Sequence, residues 1–500
     1  MLISQHANEI GLFGAIPMKT DRRTALKLGG AAAATLASST ARAQKDPDVI
    51  VIGAGLSGLY SAMLLAEAGA TVQVIEGRDR LGGRLLSARN VEGNPEWGGD
   101  SILGGYGRMQ DVSANVGVEL VDHQSRRDLS PEAHKDPTNT ELALRGNLIP
   151  KGDWPTHPLN VMPEGAKHRF PGRGFFQAVI GENNPLEAFE DWLDADSAQF
   201  DRSIYDVFKE IGWSDEAIDL NYNTNVQYGT SAHDISSLMW FFTQAWFKLQ
   251  GELDRVAFKA PGGNQSIPEA MAASLPGEVH LGKEVIGIRS EPGQAEVHCG
   301  DGSIYKAKRV ICSMPIPTMR WLKFDPLLPA LKAQAIATAP VQKITKIIMV
   351  PKKPFWEDDG FSPAMWTDTD CGEVRALREG EDANRITCLM AWGRGYLADK
   401  LDSYSDEEAM ARVIADYERI RPAAKGQLEA AGIKSWQSDP FAAGDWAVWS
   451  PGTVTTVVKA LIDPADRIHF CGEHTATSNR GMEGAMESGE RAAFEVLDLI

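Results

Sequence analysis

The chain is poor in cysteine: Cys299, Cys312, Cys371, Cys388 and Cys471 are odd in number and show no C-x-x-C pair and no Cys/His spacing. This argues against a zinc centre and a disulfide framework, leaving buried thiols and no metal as the expectation. An uninterrupted apolar run of bilayer-spanning length is also lacking, so no membrane span is predicted. Basic residues are in deficit, with 50 Lys and Arg against 68 Asp and Glu and a net charge of −18. An acidic surface of this kind argues against nucleic acid and anionic membrane as partners. Beyond residue 43 there is no internal repeat and no low-complexity tract. What is present, 43% hydrophobic residues in a chain of 500, suits a large globular protein of two intertwined domains.

The most informative stretch runs from Asp48 to Arg84. Val49 to Ile52 form an apolar run of the kind that fills a parallel strand, and Gly53, Gly55 and Gly58 follow on G-x-G-x-x-G spacing. Gly53 permits the tight turn, and Gly55 lets backbone approach a pyrophosphate. Gly58 lets the predicted helix from Leu56 to Gly69 lie close to the sheet, while its first amides, near Ser57, face the phosphates. Glu76 ends the second strand, where a carboxylate can accept both ribose hydroxyls. Together these make a βαβ dinucleotide site. The following Arg78-Asp79-Arg80-Leu81-Gly82-Gly83-Arg84 resembles the second pyrophosphate clamp of flavoproteins in the glutathione reductase and amine oxidase superfamily. That resemblance implies FAD, not NAD, with Arg78, Gly83 and Arg84 at the cofactor.

Further along, Pro95 to Ser101 and the glycines after it have the density that lets backbone approach a flat ring, which assigns Gly99 and Ser101 to the cofactor. Residues 125 to 185 are polar and poorly periodic and read as a long insertion over the site. From Phe189 to Gln250 helical patterns dominate, with Ser203 and Ser214 as N-caps and Trp240 in an aromatic segment that is a candidate for the cavity lining. Glu278 to Ile288, which includes Val285, and Ala295 to Cys299 read as strands returning to the nucleotide domain. The expected fold class is therefore α/β, a Rossmann-type FAD-binding domain interleaved with an α+β substrate domain. FAD-binding parts are expected over 44–120, 256–325 and 441–500, and substrate-domain parts over 121–255 and 326–440.

Near the C-terminus, Ile468 to Thr477 followed by Gly481 to Ala493 closely resembles the flavin-binding signature of the flavin amine oxidases. With the N-terminal unit it brackets nearly the whole chain beyond residue 43. The resemblance implies that Glu473 binds the ribityl or pyrophosphate side and that a helix starting near Met482 aims its positive end at the flavin. It also implies that Lys346, counted back from Pro354-Phe355-Trp356, holds a water beside flavin N5 and assists reoxidation. Alternation along the strand turns Lys346 inward with Ile344 and Ile348 and leaves Lys343 to solvent.

Two departures stand out. Where monoamine oxidases carry a flavin-linking cysteine, the matching position is Gly444, so non-covalent FAD is expected. Asp445 and Gly481 stand near places of the family's aromatic pair, leaving Trp446 and Trp449 as cavity candidates. L-Amino acid oxidases carry an arginine for the substrate carboxylate in the segment matching Gly98 to Leu103. Ser101 stands there, which favours an amine without an α-carboxylate, with Arg108 as a substitute.

The implied activity is oxidation of a small-molecule amine by hydride transfer to FAD, giving an imine that water hydrolyses to aldehyde or ketone. An L-amino acid oxidase or desaturase on the same scaffold, or an FAD-stabilised binding protein, are the alternatives. Dioxygen or a periplasmic electron carrier would reoxidise the flavin, and a homodimer is compatible with the chain.

Residues 1–43 carry five basic and two acidic residues. Arg22 and Arg23 precede a mildly apolar Ala- and Gly-rich stretch and then Ala41-Arg42-Ala43, a pattern that resembles a twin-arginine export peptide. Met18 is a candidate initiator, and the expected location is periplasmic or secreted.

Overall fold

The computed structural model describes residues 46–123, 140–172, 179–253, 256–382 and 384–500. The export-like segment lies outside the described residues.

Val49–Ile52, buried at every position, pairs in parallel with Val72–Ile75 on one side and Arg309–Cys312 on the other, and Ile468–Phe470 extends the sheet beyond Arg309–Cys312. These strands are apolar throughout because both sheet faces are covered. The helix Leu56–Glu67 links the first two of them, and Gly481–Leu497 packs against that helix. The sheet is therefore built from three distant parts of the sequence, the chain leaving it and returning twice. Val285–Glu291, Gln294–Cys299 and Ile304–Ala307 form an antiparallel set beside it, with Lys323–Asp325 added in parallel.

The second large layer is a seven-stranded sheet in the order Leu428–Ser435, Ile344–Pro351, Cys388–Arg394, Glu373–Leu377, Met365–Thr367, Glu141–Leu144 and Asn147–Ile149. Cross-strand partners share a face, so the register Lys346↔Trp392↔Glu373, with Ile348↔Met390↔Arg375 and Ile344↔Arg394, sets all of these side chains on one side. The opposite side, with Ile347, Met349, Val374 and Ala391, packs on the helix Asp406–Ile420 through Val413 and Tyr417.

Several expectations change here. Residues 125 to 185 are not only an insertion: Glu141–Leu144 and Asn147–Ile149 form a hairpin whose first strand pairs in parallel with Met365–Thr367. Strands this short carry too little alternation to be seen in a polar stretch. The strand expected from Glu278 begins at Val285, with only an isolated bridge from His280 to Ile75 before it. The helical reading of Phe189 to Gln250 holds, and Ser203 and Ser214 cap their helices by accepting from Asp206 N at 3.0 Å and Ala217 N at 3.1 Å.

Candidate active site

The carboxyl ends of the parallel strands meet a cavity of about 360 Å³ that reaches across to the seven-stranded sheet. Gly53 sits at the first turn with φ +102°, a conformation that favours glycine, and a Cβ on Gly58 would collide with the Gly53 carbonyl oxygen. Gly58 thus lies beneath the cavity and not on it, acting through close helix–strand packing. Gly53, Gly55 and Ser57 line the cavity itself.

Glu76 is 5% exposed and held from both sides, its Oε2 accepting from Ala54 N at 2.8 Å and its Oε1 from Arg78 N at 2.9 Å. Arg78 donates to Asp439 at 2.7 Å, and Arg84 to the Asp445 carbonyl. Both arginines line the cavity, as do Gly83, Gly99, Ser101, Val285, Glu473 and Met482. The close approach at Gly99 is real, since a Cβ there would meet Met482 Sδ at 3.0 Å. Glu473 accepts from Ala447 N at 2.9 Å and lies 3.6 Å from Arg480. The helix Gly481–Leu497 presents its amino end to the cavity through Gly481, Met482 and Ala485.

Lys346 is 2% exposed, donates to the carbonyls of Glu96 at 3.3 Å and Gly98 at 3.4 Å, and lies 4.0 Å from the centre of the Trp392 ring. Burial pushes its pKa down to about 7; Asp445 and Glu96 oppose that shift, while Arg375 and Arg394 add to it. Lys343 instead pairs with Asp399 at 2.7 Å at the partly exposed edge. The segment that supplies the Lys346 acceptors is itself held by buried charge. Glu96 accepts from Asn264 N at 2.8 Å and Ser87 Oγ at 2.8 Å, and Lys259 lies 3.7 Å from Glu96 and 2.7 Å from Glu379. Asp100, His123 and Glu379 bring one ligand-type atom each within 4.8 Å of one another, but the Lys259 ammonium already supplies the cation on Glu379.

The aromatic candidates divide. Trp446 lines the cavity and meets Tyr228 edge-on at 5.8 Å. Trp240 does not reach it: it is 1% exposed in the main core and donates from Nε1 to Tyr222 Oη at 3.2 Å. Trp449 is likewise core, at 4% exposure. Both are large apolar side chains on elements behind the wall, and burial claims them first. Gly444 lines a separate cavity of about 20 Å³ with Gln342 and His474, and Asp445, its neighbour, faces the main one. Arg108 is committed elsewhere, to Glu483 at 3.2 Å and Glu490 at 2.7 Å, where Glu483 also accepts from the backbone N–H groups of Arg108 and Met109.

Trp392, Arg375, Arg394, Tyr106 and Phe441 also line the cavity, and the sequence did not single them out for it; Asp445, named beside the aromatic pair, lines it as well. For Arg375, Trp392 and Arg394 the available signal was the period of two through Glu373–Leu377 and Cys388–Arg394, which becomes readable once those strands are known to lie beside Ile344–Pro351.

The cavity fits a dinucleotide with a flat ring. Glycine backbone and helix amino ends meet at one end, a buried ribose-type carboxylate stands beside them, and the buried Ser101 Oγ on the wall has no hydrogen-bond partner among the described residues. The fold and site define an FAD-dependent oxidoreductase. The family model described as flavin containing amine oxidoreductase matches residues 56–497, and the chain belongs to that family. It is similar to a flavin-containing amine oxidase of Oncorhynchus mykiss, 28% identical over 91% of this chain and 86% of that protein. Flavin-containing amine oxidase B of Homo sapiens is 26% identical over 90% and 86%. Among solved structures, cyclohexylamine oxidase from Brevibacterium oxydans shares the fold with TM-score 0.73 at 21% identity, over 91% of this chain and 99% of that one. Putrescine oxidase bound to putrescine does so with TM-score 0.71 at 23% identity, over 90% and 99%.

Glu76→Ala should weaken FAD retention by roughly 1.5–3 kcal/mol, the cost of losing a charged hydrogen-bond partner. Flavin occupancy after dialysis at low free FAD measures it, and full occupancy would move the ribose contact to another residue.

Proposed function

We propose that this chain is an exported amine oxidase with non-covalently bound FAD, which oxidises the carbon bearing a neutral amine to an imine that water then hydrolyses. The observation that carries the reading is the single cavity joining the glycine turn and Glu76 at one end to buried Lys346 at the other. When bound, the flavin supplies the two-electron acceptor for the amine carbon. The protein does the rest. Gly53, Gly55, Ser57 and Arg84 approach the phosphates, Glu76 accepts from the ribose, and Glu473 with the amino end of Gly481–Leu497 meets the flavin side. Trp392 and Trp446 keep the reacting region dry. Lys346 holds a water against the carbonyls of Glu96 and Gly98 and offers positive charge during reoxidation.

Non-covalent attachment follows from the wall itself. Asp445 and Gly444 occupy the stretch where a linking thiol would stand, and none of the five buried cysteines lines the cavity. Acid precipitation should therefore leave the flavin in the supernatant; colour retained by the pellet would refute this.

Lys346→Met should slow reoxidation of the reduced enzyme far more than its reduction by amine, because help is lost only where charge develops on oxygen. With a pKa near 7, the ammonium is charged below that pH and lost above it. The wild-type reoxidation rate should then fall as pH rises through about 7, and the variant should lose that dependence. Stopped-flow measurement of the two half-reactions decides the matter. Equal reoxidation in both proteins would remove Lys346 from the step, or point to an electron carrier in place of dioxygen.

Export rests on Arg22-Arg23, the apolar stretch to Leu36 and Ala41-Arg42-Ala43. The twin-arginine route carries folded proteins, which suits a chain that must close around a cofactor. Changing both arginines to lysine should retain yellow protein in the cytoplasm, and wild-type levels in the periplasm would exclude this route.

A further inference from the structure

The face of the seven-stranded sheet that looks into the cavity carries more positive charge than its own carboxylates neutralise. Three cations surround the Trp392 ring: Lys346 Nζ at 4.0 Å, Arg375 Cζ at 4.0 Å and Arg394 Cζ at 4.7 Å from its centre. One carboxylate, Glu373, serves both arginines, with Arg375 Nε donating at 2.8 Å and Arg394 Nη1 at 2.7 Å. The two guanidinium groups differ in exposure. The Arg394 side chain is 1% exposed and buttresses the ring, whereas that of Arg375 is 27% exposed and lines the cavity. Among the described residues neither terminal amino group of Arg375 has a hydrogen-bond partner. A guanidinium held at Nε by Glu373 and stacked on an indole has its outer fork fixed in place, which is how arginine recognises a carboxylate with two parallel bonds.

Three other carboxylates of the cavity are engaged elsewhere. Glu76 is bonded to the backbone at Ala54 and Arg78, Glu473 to Ala447 N, and the cations that act on Asp445 are Lys346, Arg84 and Arg394. The phosphate-binding turn lies on the other sheet.

We propose that Arg375 is a specificity-determining residue that binds a carboxylate on the substrate, so that the preferred amines are amino acids or amino carboxylates. This rests on the amine oxidase reading above, and it reverses the expectation drawn from Ser101. Lys346 and Arg375 flank the same indole, so the anchored carboxylate would lie on the same wall of the cavity as the lysine assigned to the flavin.

The test uses purified holoenzyme, mixed anaerobically to follow flavin bleaching and with an electron acceptor to follow turnover, against matched pairs: straight-chain alkylamines against ω-amino carboxylates of equal length, and phenethylamine against phenylalanine. The ω and α arms separate a distal from an adjacent carboxylate. Carboxylated members should bleach the flavin with the higher kcat/KM. Arg375→Met should lower their kcat/KM by roughly tenfold to a hundredfold relative to the uncharged partners, the range of a lost charged hydrogen bond. Arg375→Lys, which keeps the charge without the fork, should recover part of the preference.

Preference for the uncharged amines in the wild type, or an equal fall for both members in the methionine variant, would overturn the assignment. Loss of bound flavin in both variants would give the arginine to the cofactor and overturn it too. Bleaching by neither series would instead sink the amine oxidase reading on which it stands.

Discussion

Backbone meets backbone at two glycines, and the site depends on it. At Gly58 a side chain would strike the Gly53 carbonyl, and at Gly489 it would strike the carbonyl of Ser57. The first contact seats the helix Leu56–Glu67 against its own strand; the second seats Gly481–Leu497 against that helix. Two amino ends are thereby brought to the same cavity, one at the glycine turn and one at Gly481 and Met482. The positive ends of two helices are then available to the anionic and electron-accepting parts of one cofactor, without any added side-chain charge.

The opposite wall works by a different economy. Lys346 is buried on a strand whose neighbours are Ile344 and Ile348, where an isolated ammonium would be expelled or neutralised. Two carbonyls and the face of Trp392 replace the water it gives up, and its pKa settles near 7. Those carbonyls belong to the segment that Glu96, Lys259 and Glu379 pin from behind. A charged cluster distant from the cofactor turn therefore governs the position of the buried lysine on the cavity wall.

Net charge and local charge point in opposite directions in this protein. The chain is acidic overall, yet the sheet face over the cavity gathers Lys346, Arg375 and Arg394 around one indole. Long-range charge bears on solubility and on which macromolecules are repelled; recognition of a small molecule is set by the few groups within hydrogen-bonding reach.

The nucleotide half was legible in the sequence because its determinants are local. A strand, a glycine turn, a helix and Glu76 follow one another within a single βαβ unit, and the spacing alone carries the mechanism. Lys346 was singled out by the family resemblance, counted back from Pro354-Phe355-Trp356, and alternation along its strand added only which side it faces. Trp240 and Trp449 were misplaced because an aromatic residue on an amphipathic element looks the same whether it faces core or cavity. Gly444 matches the linking-cysteine position by resemblance, and the structure adds that its neighbour Asp445 is the one that lines the main cavity. The pairing of Glu373–Leu377 with Cys388–Arg394, and of that strand with Ile344–Pro351, was decided only by the tertiary structure. Cross-strand register, which no local pattern encodes, sets Arg375, Trp392 and Lys346 side by side.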